Sequence, residues 1–340
     1  MSLSSLIEPS INGEYLAHLF TYLEKRDLPR ALILKSLPEI PSNYASTWVK
    51  ARHLNQVYEL ASKHLSDAHL GLKFGEQFTA NSFQIVGFIA ISAPNILAAF
   101  ETVSCFQGLY SRIGKMVIRP QEQVLMCWDA NWPRALMSHH AVEASIAGWL
   151  KVSIAMIQSE LKPLKISFKH GQQGDIETYQ KIFACPLEFD QEYDAIHWQK
   201  DQLNEAISSS NALVHEALVD KSRQVLQTIG HEPLVDKIEL ILGEKGMGSI
   251  LPIETVAREL SIKPTELSKQ LKKGGLSYRT LVDRSKLLEC LPYMLDTHNE
   301  IVDIAQVLGF SEQSSFTRAF KRWTDMSPLM YRNMLLQCKA

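Results

Sequence analysis

Hydrophobic spacing along residues 1–219 predicts both helices and strands. Apolar side chains recur with the period of an amphipathic helix at residues 11–23, 44–65, 95–112 and 134–161. Short apolar or alternating runs, rich in branched and aromatic residues, indicate strands between and after these helices. The predicted strands are residues 116–118, 124–128, 165–169, 187–189 and 195–198. We therefore predict an α+β domain.

The remainder of the chain carries helical spacing alone. A helix is predicted at residues 234–242, the glycine-rich run GEKGMGS indicates a connecting loop, and helical spacing resumes at Pro252. The pattern then continues, with breaks, to the C-terminus. We predict an all-α domain at residues 233–340, joined to an α+β domain at 1–219 by a polar linker at 220–232.

One predicted helix near the C-terminus has a sharply divided surface. In the run IAQVLGFSEQSSFTRAFKRW, residues 304–323, four apolar side chains fall at i, i+3, i+4 and i+7 and must pack inward. They are Phe316, Ala319, Phe320 and Trp323. The opposite face carries the polar residues Gln313, Ser314, Thr317, Arg318 and Lys321. Gly309 permits a sharp reversal after the preceding apolar helix, which gives a helix-turn-helix pattern.

The same pattern occurs twice in the chain. A first copy at about 252–273 matches a second at about 300–323, at an offset of 48 residues before the turn and 49 after it. The matched apolar residues of the first copy are Val256, Ala257, Leu260, Leu267 and Leu271. Its outward residues are Thr265, Glu266, Ser268, Lys269, Lys272 and Lys273. Two such modules predict two recognition helices that enter successive major grooves of one duplex, roughly 34 Å apart.

The outward side chains have chemistry suited to DNA. Gln and Arg can form paired hydrogen bonds with adenine and guanine edges, and Ser or Thr can bond bases or phosphates. Lys321, one turn further on, suits a phosphate. A polar stripe of this kind is more often a solvated helix face, and a single copy would favour that interpretation. The second copy favours DNA binding instead.

Overall charge does not indicate nucleic-acid binding. The 340 residues include 35 basic and 37 acidic ones, a net charge of −2, so DNA would have to meet local cationic patches. One patch is predicted between Lys263 and Lys286, where seven basic residues occur with two acidic ones. Arg279, which lies in this segment, is also predicted to contact DNA.

Composition and motifs give no indication of an enzyme, a metal site or a membrane segment. The five cysteines are scattered without a C-x-x-C pair, which argues against disulfides or thiolate-bound zinc and favours a reducing cytoplasm. The N-terminus lacks a secretory pattern, and the apolar segment 83–100 is interrupted by polar residues. His139 and His140 are expected to point in different directions on their helix. We predict no catalytic residue, cofactor or metal ion.

The repeated modules resemble a known family. The run DIAQVLGFSEQSSFTRAFKRWTDMSPLMYR, with LSIKPTELSKQLKKGGLSYRTLV before it, resembles the signature of AraC/XylS-type bacterial transcription regulators over about residues 232–340. The resemblance implies a long central helix at about 278–291 and base contacts from both recognition helices. The implied contact residues are Thr265, Ser268, Lys269, Gln313, Ser314, Thr317 and Arg318. Promoter DNA and RNA polymerase are the expected macromolecular partners.

Three runs in the first domain are similar to the arabinose-binding-like effector and dimerisation domain found in a branch of this family. They are HLGLKFGEQF, FQIVGFIAISAPNILAAFE and FKHGQQGDIETYQKIFACPLEFDQEYDAIHW. The resemblance implies a small-molecule effector and a homodimer. An apolar, aromatic-lined cavity with cationic anchors would suit such an effector. Its candidate residues, for which core aromatics and solvated arginines are the alternative, are Arg112, Arg119, Trp128, Arg134 and Trp149.

These features predict a cytoplasmic, sequence-specific transcription regulator that a small molecule controls through the N-terminal domain. A second interpretation is an effector-independent regulator whose first domain only dimerises or binds a protein partner. A third is an enzyme that carries a DNA-binding module. It would need a polar catalytic cluster, which the sequence of the first domain does not offer.

Overall fold

The described residues form two compact units, residues 9–222 and residues 223–337, here named the N-terminal unit and the C-terminal unit. The structure is a computed structural model. It describes residues 9–120, 122–130, 137–157, 160–229, 233–244, 251–273, 276–296, 298–324 and 326–337. Within these ranges, no helix is both long and apolar enough to cross a membrane.

Helices and short strands alternate in the N-terminal unit, which confirms the predicted α+β class. Its first part contains β1 (Ser10–Asn12), α1 (Gly13–Glu24), α2 (Arg30–Ser36), β2 (Trp48–Lys50), α3 (Ala51–Leu65), α4 (Leu70–Gly75), α5 (Gln84–Ser92) and α6 (Ile96–Phe106). Its second part contains β3 (Gly114–Pro120), β4 (Val124–Ala130), α7 (His139–Ala155), β5 (Lys165–Ser167), α8 (Ile176–Phe183), β6 (Leu187–Glu188), β7 (Asp194–Trp198) and the start of α9 (Ala212–Ile229).

A five-stranded sheet with the order β3-β4-β7-β5-β6 forms one layer of the N-terminal unit. The strands β3, β4, β7 and β5 pair antiparallel, whereas β5 and β6 run parallel. All five predicted strands correspond to strands of this sheet. The central strand β7 is buried along its whole length, and the indole of Trp198 at its end is fully enclosed.

Residues 44–65 do not form the single helix that their spacing predicted. The strand β2 occupies part of the segment and pairs antiparallel with β1, so that Val49 lies opposite Ile11. Val49 is buried there, as it would also have been in a helix. Apolar spacing alone cannot distinguish a three-residue strand from a helix start. The helices predicted at 95–112 and 134–161 are also shorter, as α6 and α7.

Close packing of α4 against α7 depends on two glycines one turn apart. A Cβ atom on Gly71 would lie 2.1 Å from the backbone oxygen of His140, and one on Gly75 would lie 2.4 Å from that of Ala144. Neither position can hold a side chain, which lets the two helix backbones approach each other. Because α7 also contacts β4 and β7, this helix connects α4 to the sheet.

The C-terminal unit is helical in its described residues, as predicted. Its helices are the end of α9, α10 (Pro233–Glu244), α11 (Ile253–Glu259), α12 (Pro264–Lys273), α13 (Tyr278–Leu295), α14 (Ile301–Val307), α15 (Gln313–Thr324) and α16 (Pro328–Gln337). The helix α13 occupies the place of the implied central helix and continues beyond residue 291, past Pro292. Residues 220–229, which the sequence analysis assigned to a linker, are helical as part of α9.

The two helix-turn-helix modules share one turn geometry. Gly309, after α14, has a φ of 76°, and Ser261, at the matching position after α11, has a φ of 58°. In both turns the N–H of the next residue donates to a carbonyl five residues earlier, at 2.9 Å in the second module and 3.0 Å in the first. The repeat in the sequence is therefore also a repeat of the backbone.

Ser261→Gly is expected to raise the free energy of unfolding of the C-terminal unit by about 1 kcal/mol. Glycine adopts the left-handed conformation without the steric cost that a Cβ atom imposes on serine. The reciprocal change, Gly309→Ser, should lower the free energy of unfolding by a similar amount. Denaturant titration of the full-length protein measures both changes. A loss of stability in Ser261→Gly would count against the shared turn geometry.

Candidate nucleic-acid interface

The helix α15 has a buried face, as its spacing predicted. Phe316 and Phe320 are fully buried, and Trp323 is 1% exposed. The ring of Phe320 meets Tyr331 of α16 edge-on, with 5.3 Å between centroids. Phe310, in the turn before α15, lies 5.5 Å from Phe316. This aromatic cluster fixes the orientation of α15 within its module.

The exposed surface of α15 carries predicted DNA contacts. These residues, exposed except for the half-buried Thr317, are Gln313, Ser314, Thr317, Arg318 and Lys321. Gln313 is the first residue of the helix and lies seven positions before the buried Phe320, so it is exposed at the start of α15 and not on the face opposite to Phe320, where the sequence analysis had placed it. The Ser314 hydroxyl donates to the Glu312 carboxylate at 3.0 Å, and Arg318 donates to the Ser315 hydroxyl at 3.2 Å. Both hydrogen bonds lie at the surface, so each side chain can exchange its present partner for a base edge.

The helix α12 repeats this division of faces. Leu267 and Leu271 are buried in the apolar core of the first module, together with residues of α10, α11 and α13. On the other face, the exposed or half-buried contact candidates are Thr265, Ser268, Lys269 and Lys272. The side chain of Lys273 lies outside the described residues. Arg279 is exposed at the second position of α13, so it belongs to the central helix and not to a recognition helix.

Two cations between Lys263 and Lys286 connect helices to each other. Lys286 is 7% exposed, and its ammonium donates to the Leu308 carbonyl after α14 at 2.9 Å. Burial lowers the pKa of Lys286 from its ordinary value. Arg284 lies 3.2 Å from the Glu239 carboxylate of α10, measured from Nε to Oε1. The cationic surface is therefore smaller than the count of seven basic residues suggested.

An ion pair that the sequence analysis did not predict holds α15 on the central helix. Arg322, near the end of α15, lies 3.2 Å from Asp283 of α13, measured from Nη2 to Oδ2. The pair turns one cation of α15 toward the protein and leaves Arg318 and Lys321 on the exposed face. A single sequence does not indicate that two opposite charges 39 positions apart form an ion pair.

A small cavity in the N-terminal unit contains two of the five predicted effector residues. Trp128 of β4 and Trp149 of α7 line it, together with Tyr15 of α1 and Tyr110 after α6. Its wall is mostly apolar, with a few hydroxyl and amide groups. This combination is typical of small-molecule sites.

The arginines predicted as effector anchors are not on the described wall of this cavity. The guanidinium of Arg112 stacks over Trp48, 4.0 Å from its ring centroid. Arg119 lies 3.5 Å from a carboxylate of β4. The register of β3 and β4 places Arg119 on the face of the sheet opposite to Trp128, because successive strand residues alternate between faces. Arg134 lies outside the described residues.

His139 and His140 lie closer together than the sequence analysis predicted. Their ring centroids are 3.9 Å apart, and potential ligand atoms of both lie within 4.8 Å of each other and of the Glu59 carboxylate. The expectation of different directions is wrong, since no preceding turn restricts side chains in the first turn of α7. Nδ1 of His140 accepts from the backbone N–H of Gly71 at 3.3 Å. Burial and the neighbouring His139 lower the pKa of His140 to about 3, which keeps it neutral.

Two helix-turn-helix modules in one compact unit, each with an exposed polar helix face, define a DNA-binding protein. Comparison with known families gives the same class. Residues 28–207 match the arabinose-binding domain of AraC transcription regulators, and residues 256–334 match a helix-turn-helix domain. The chain belongs to the AraC family of transcription regulators.

Relatives from Pseudomonas aeruginosa match along most of the chain. The ornithine utilization regulator is 23% identical over 292 residues, which cover 82% of this chain and 82% of the relative. The regulator VqsM is 23% identical over 274 residues, covering 77% and 83%. The crystal structure of the transcriptional regulator CdpR covers 94% of this chain and 98% of its own, at 20% identity and a TM-score of 0.45.

Proposed function

We propose that the protein is a sequence-specific transcription regulator whose DNA binding is controlled by a small molecule bound in the N-terminal unit. The observation that carries the proposal is the duplication of α12 and α15. Both helices expose polar faces while their opposite faces fill a core, and both follow equivalent turns. One polar helix face is ordinary, whereas two at matching positions favour paired recognition helices.

In the proposed complex, α15 distinguishes bases through Gln313 and Arg318. These side chains can form paired hydrogen bonds with adenine and guanine, respectively. Ser314 and Thr317 add base or phosphate contacts, and Lys321 neutralises a phosphate. The remaining proposed DNA contacts are Thr265, Ser268, Lys269, Lys272, Lys273 and Arg279. Since the net charge is −2, affinity depends on these local contacts and not on a general cationic field.

The helix α5 gives an effector a route to α9. Val86 of α5 lines the cavity, and the carbonyl of Ser92 at its end accepts from the Asn211 N–H at 3.1 Å. The Ser92 hydroxyl also lies 3.2 Å from Nδ1 of His215 on α9. A ligand that displaces α5 therefore displaces the start of α9, a helix that continues to Ile229. The effector acts by shifting the population between two arrangements of the regulator.

Other partners complete the proposal. The N-terminal unit forms a homodimer, so that the C-terminal units of two subunits bind one promoter. The DNA-bound protein contacts RNA polymerase. The protein acts in the cytoplasm and performs no catalysis. The family's domain composition supports these assignments.

Genome-wide mapping of bound DNA in the source organism, together with transcript levels in a deletion strain, tests the regulatory function. Bound sites should share a sequence motif, and genes beside them should change in transcription when the protein is absent. Specific binding with unchanged transcription of every neighbouring gene would argue against a regulator.

Thermal shift against a metabolite library separates effector-controlled from effector-independent regulation. An effector present at about 100 times its dissociation constant stabilises the folded protein by about 2.7 kcal/mol. The same compound should change the affinity of the protein for its motif DNA. If the N-terminal unit only dimerises or binds a protein partner, no compound will have both effects.

A further inference from the structure

Lys286 reaches from the central helix α13 into the turn before the recognition helix α15. Its side chain is buried, and its ammonium donates to the Leu308 carbonyl at 2.9 Å. The same ammonium lies 4.7 Å from the ring centroid of Phe310, which follows Gly309 in the turn. Because α14 ends before Leu308, this carbonyl needs a donor from outside its helix. Lys286 supplies that donor and connects the turn to α13.

A second contact holds the other end of α15. Asp283 lies three positions before Lys286, so both side chains project from one face of α13. Asp283 pairs with Arg322, in the last turn of α15, at 3.2 Å between Oδ2 and Nη2. The turn contact and the ion pair are on the order of 15 Å apart along α15. Two contacts at this separation fix the direction of α15 relative to α13, which one contact could not do.

The beginning of α13 belongs to the first module. Leu281 is buried in the apolar core that also contains Leu267 and Leu271 of α12. The Tyr278 hydroxyl donates to the Leu251 carbonyl, which precedes α11, at 2.7 Å. The first turns of α13 are thus fixed to the module of α12, and the middle of α13 is fixed to α15.

The buried ammonium of Lys286 is expected to add little to stability. Its transfer from water into the protein costs free energy, which the hydrogen bond and the aromatic contact offset. An apolar side chain of similar length would avoid this cost, so stability alone does not account for a lysine here. A lysine does specify where the Leu308 carbonyl lies, because a hydrogen bond is directional.

We propose that Lys286 is a positioning residue that sets the distance and the rotation between α12 and α15 on DNA. The inference rests on the proposed function, in which both helices recognise bases, and adds a residue that determines the spacing of the two bound sequence blocks. One base pair corresponds to about 3.4 Å along the duplex and about 35° of rotation. A rigid pair of helices therefore matches one spacing, whereas a loosened α15 can follow its block at neighbouring spacings.

Lys286→Met removes the ammonium and keeps an unbranched side chain in the same space. Full-length wild type and variant are each used to select DNA from a random duplex pool. Wild type should enrich two sequence blocks at one spacing. The variant should enrich the same two blocks at two or more spacings, because α15 stays folded but is no longer held in one place. Loss of the α15 block, which indicates a purely structural role, or retention of the single spacing overturns the proposal.

Binding affinities give the size of the effect. The duplex that wild type enriches is compared with duplexes that have one base pair inserted or deleted between the blocks. Wild type should bind the enriched duplex at least about tenfold more tightly than either altered duplex. Lys286→Met should lower this ratio to about threefold or less. Its melting temperature should stay within about 5 °C of wild type, because the lost hydrogen bond and the recovered hydration nearly cancel.

Lys237→Met is the matched control, since it removes an exposed cation of α10 in the same unit. It should leave the ratio between spacings unchanged. An equal fall of the ratio in both lysine variants would show that loss of a positive charge, and not loss of the buried contact, relaxes the spacing, and would overturn the role of Lys286.

Asp283→Asn tests the contact at the other end of α15. It weakens the pair with Arg322 and removes no DNA contact, because a carboxylate does not bind a phosphate. The ratio between spacings should fall in this variant also. If Lys286→Met does not fold, an unchanged ratio in Asp283→Asn overturns the proposal. If Lys286→Met folds and relaxes the spacing, an unchanged ratio in Asp283→Asn assigns the positioning to Lys286 alone.

Failure of this inference and failure of the proposed function give different results. If wild type enriches two blocks and Lys286→Met keeps their single spacing, paired recognition stands and the positioning role is wrong. If wild type enriches no sequence, or one block alone, paired recognition is wrong and the positioning role of Lys286 is wrong with it.

Discussion

Phe320→Ala is expected to unfold the second helix-turn-helix module and to abolish its contribution to DNA binding. The ring is fully buried and lies 5.5 Å from Phe316, 6.1 Å from Trp323 and 5.3 Å from Tyr331 between centroids. Truncation to alanine leaves a cavity at the centre of this cluster and should cost about 3 to 5 kcal/mol. Denaturant titration and a binding assay on motif DNA measure the two effects.

Met330→Ala is the matched control for Phe320→Ala. The side chain lies on α16 in the same unit and is 63% exposed, so its truncation removes little buried surface. Surface changes of this kind usually alter stability by less than about 0.5 kcal/mol. Equal destabilisation by both variants would show that the aromatic cluster is not the core of the module.

Arg318→Ala is expected to reduce discrimination between bases by about 1 to 3 kcal/mol, or about fivefold to 150-fold. The side chain is exposed on α15 and its hydrogen bond to Ser315 lies at the surface, so it can turn to a guanine edge. The measurement compares affinity for motif DNA with affinity for single-base variants of that motif. The loss should be confined to the base that Arg318 contacts.

Lys321→Ala tests the other kind of contact on the same helix. The ammonium is exposed one turn after Thr317 and is proposed to meet a phosphate, which carries no base identity. All DNA sequences should weaken to a similar extent, and the slope of log affinity against log salt should fall by about 1. Sequence-blind losses of equal size from both variants would refute base recognition by Arg318.

The C-terminal modules could be predicted from the sequence because local rules determine them. Helical spacing separated Phe316 and Phe320 from Ser314 and Arg318, and in the structure the two phenylalanines are buried while Ser314 and Arg318 are exposed. The ion pair between Arg322 and its partner on α13 could not be predicted, since it joins helices that are distant in sequence. Local periodicity identifies a helix face but not the neighbour that covers part of it.

Which residues line the cavity of the N-terminal unit depends on tertiary contacts, and the sequence does not reveal these. Trp128 and Trp149 could be selected as aromatic candidates, and both line the cavity. The absence of Arg119 from the described cavity wall could not be predicted without the register of β3 against β4. That register places Arg119 on the face of the sheet opposite to Trp128. Tyr110, which also lines the cavity, could not be selected from the sequence. Nothing local distinguishes a tyrosine whose hydroxyl lacks a partner among the described residues from Tyr15, whose hydroxyl lies 2.5 Å from that of Tyr58.

Selection from a random pool of duplex DNA tests the central claim, that α12 and α15 both recognise bases. Wild type is compared with a triple variant of α12 (Thr265→Ala, Ser268→Ala, Lys269→Ala) and a double variant of α15 (Gln313→Ala, Arg318→Ala). Wild type should enrich two sequence blocks about one helical turn apart, roughly 10 base pairs. Each variant should lose a different block and keep the other. Enrichment of no sequence by wild type, or loss of the same block in both variants, would contradict paired recognition.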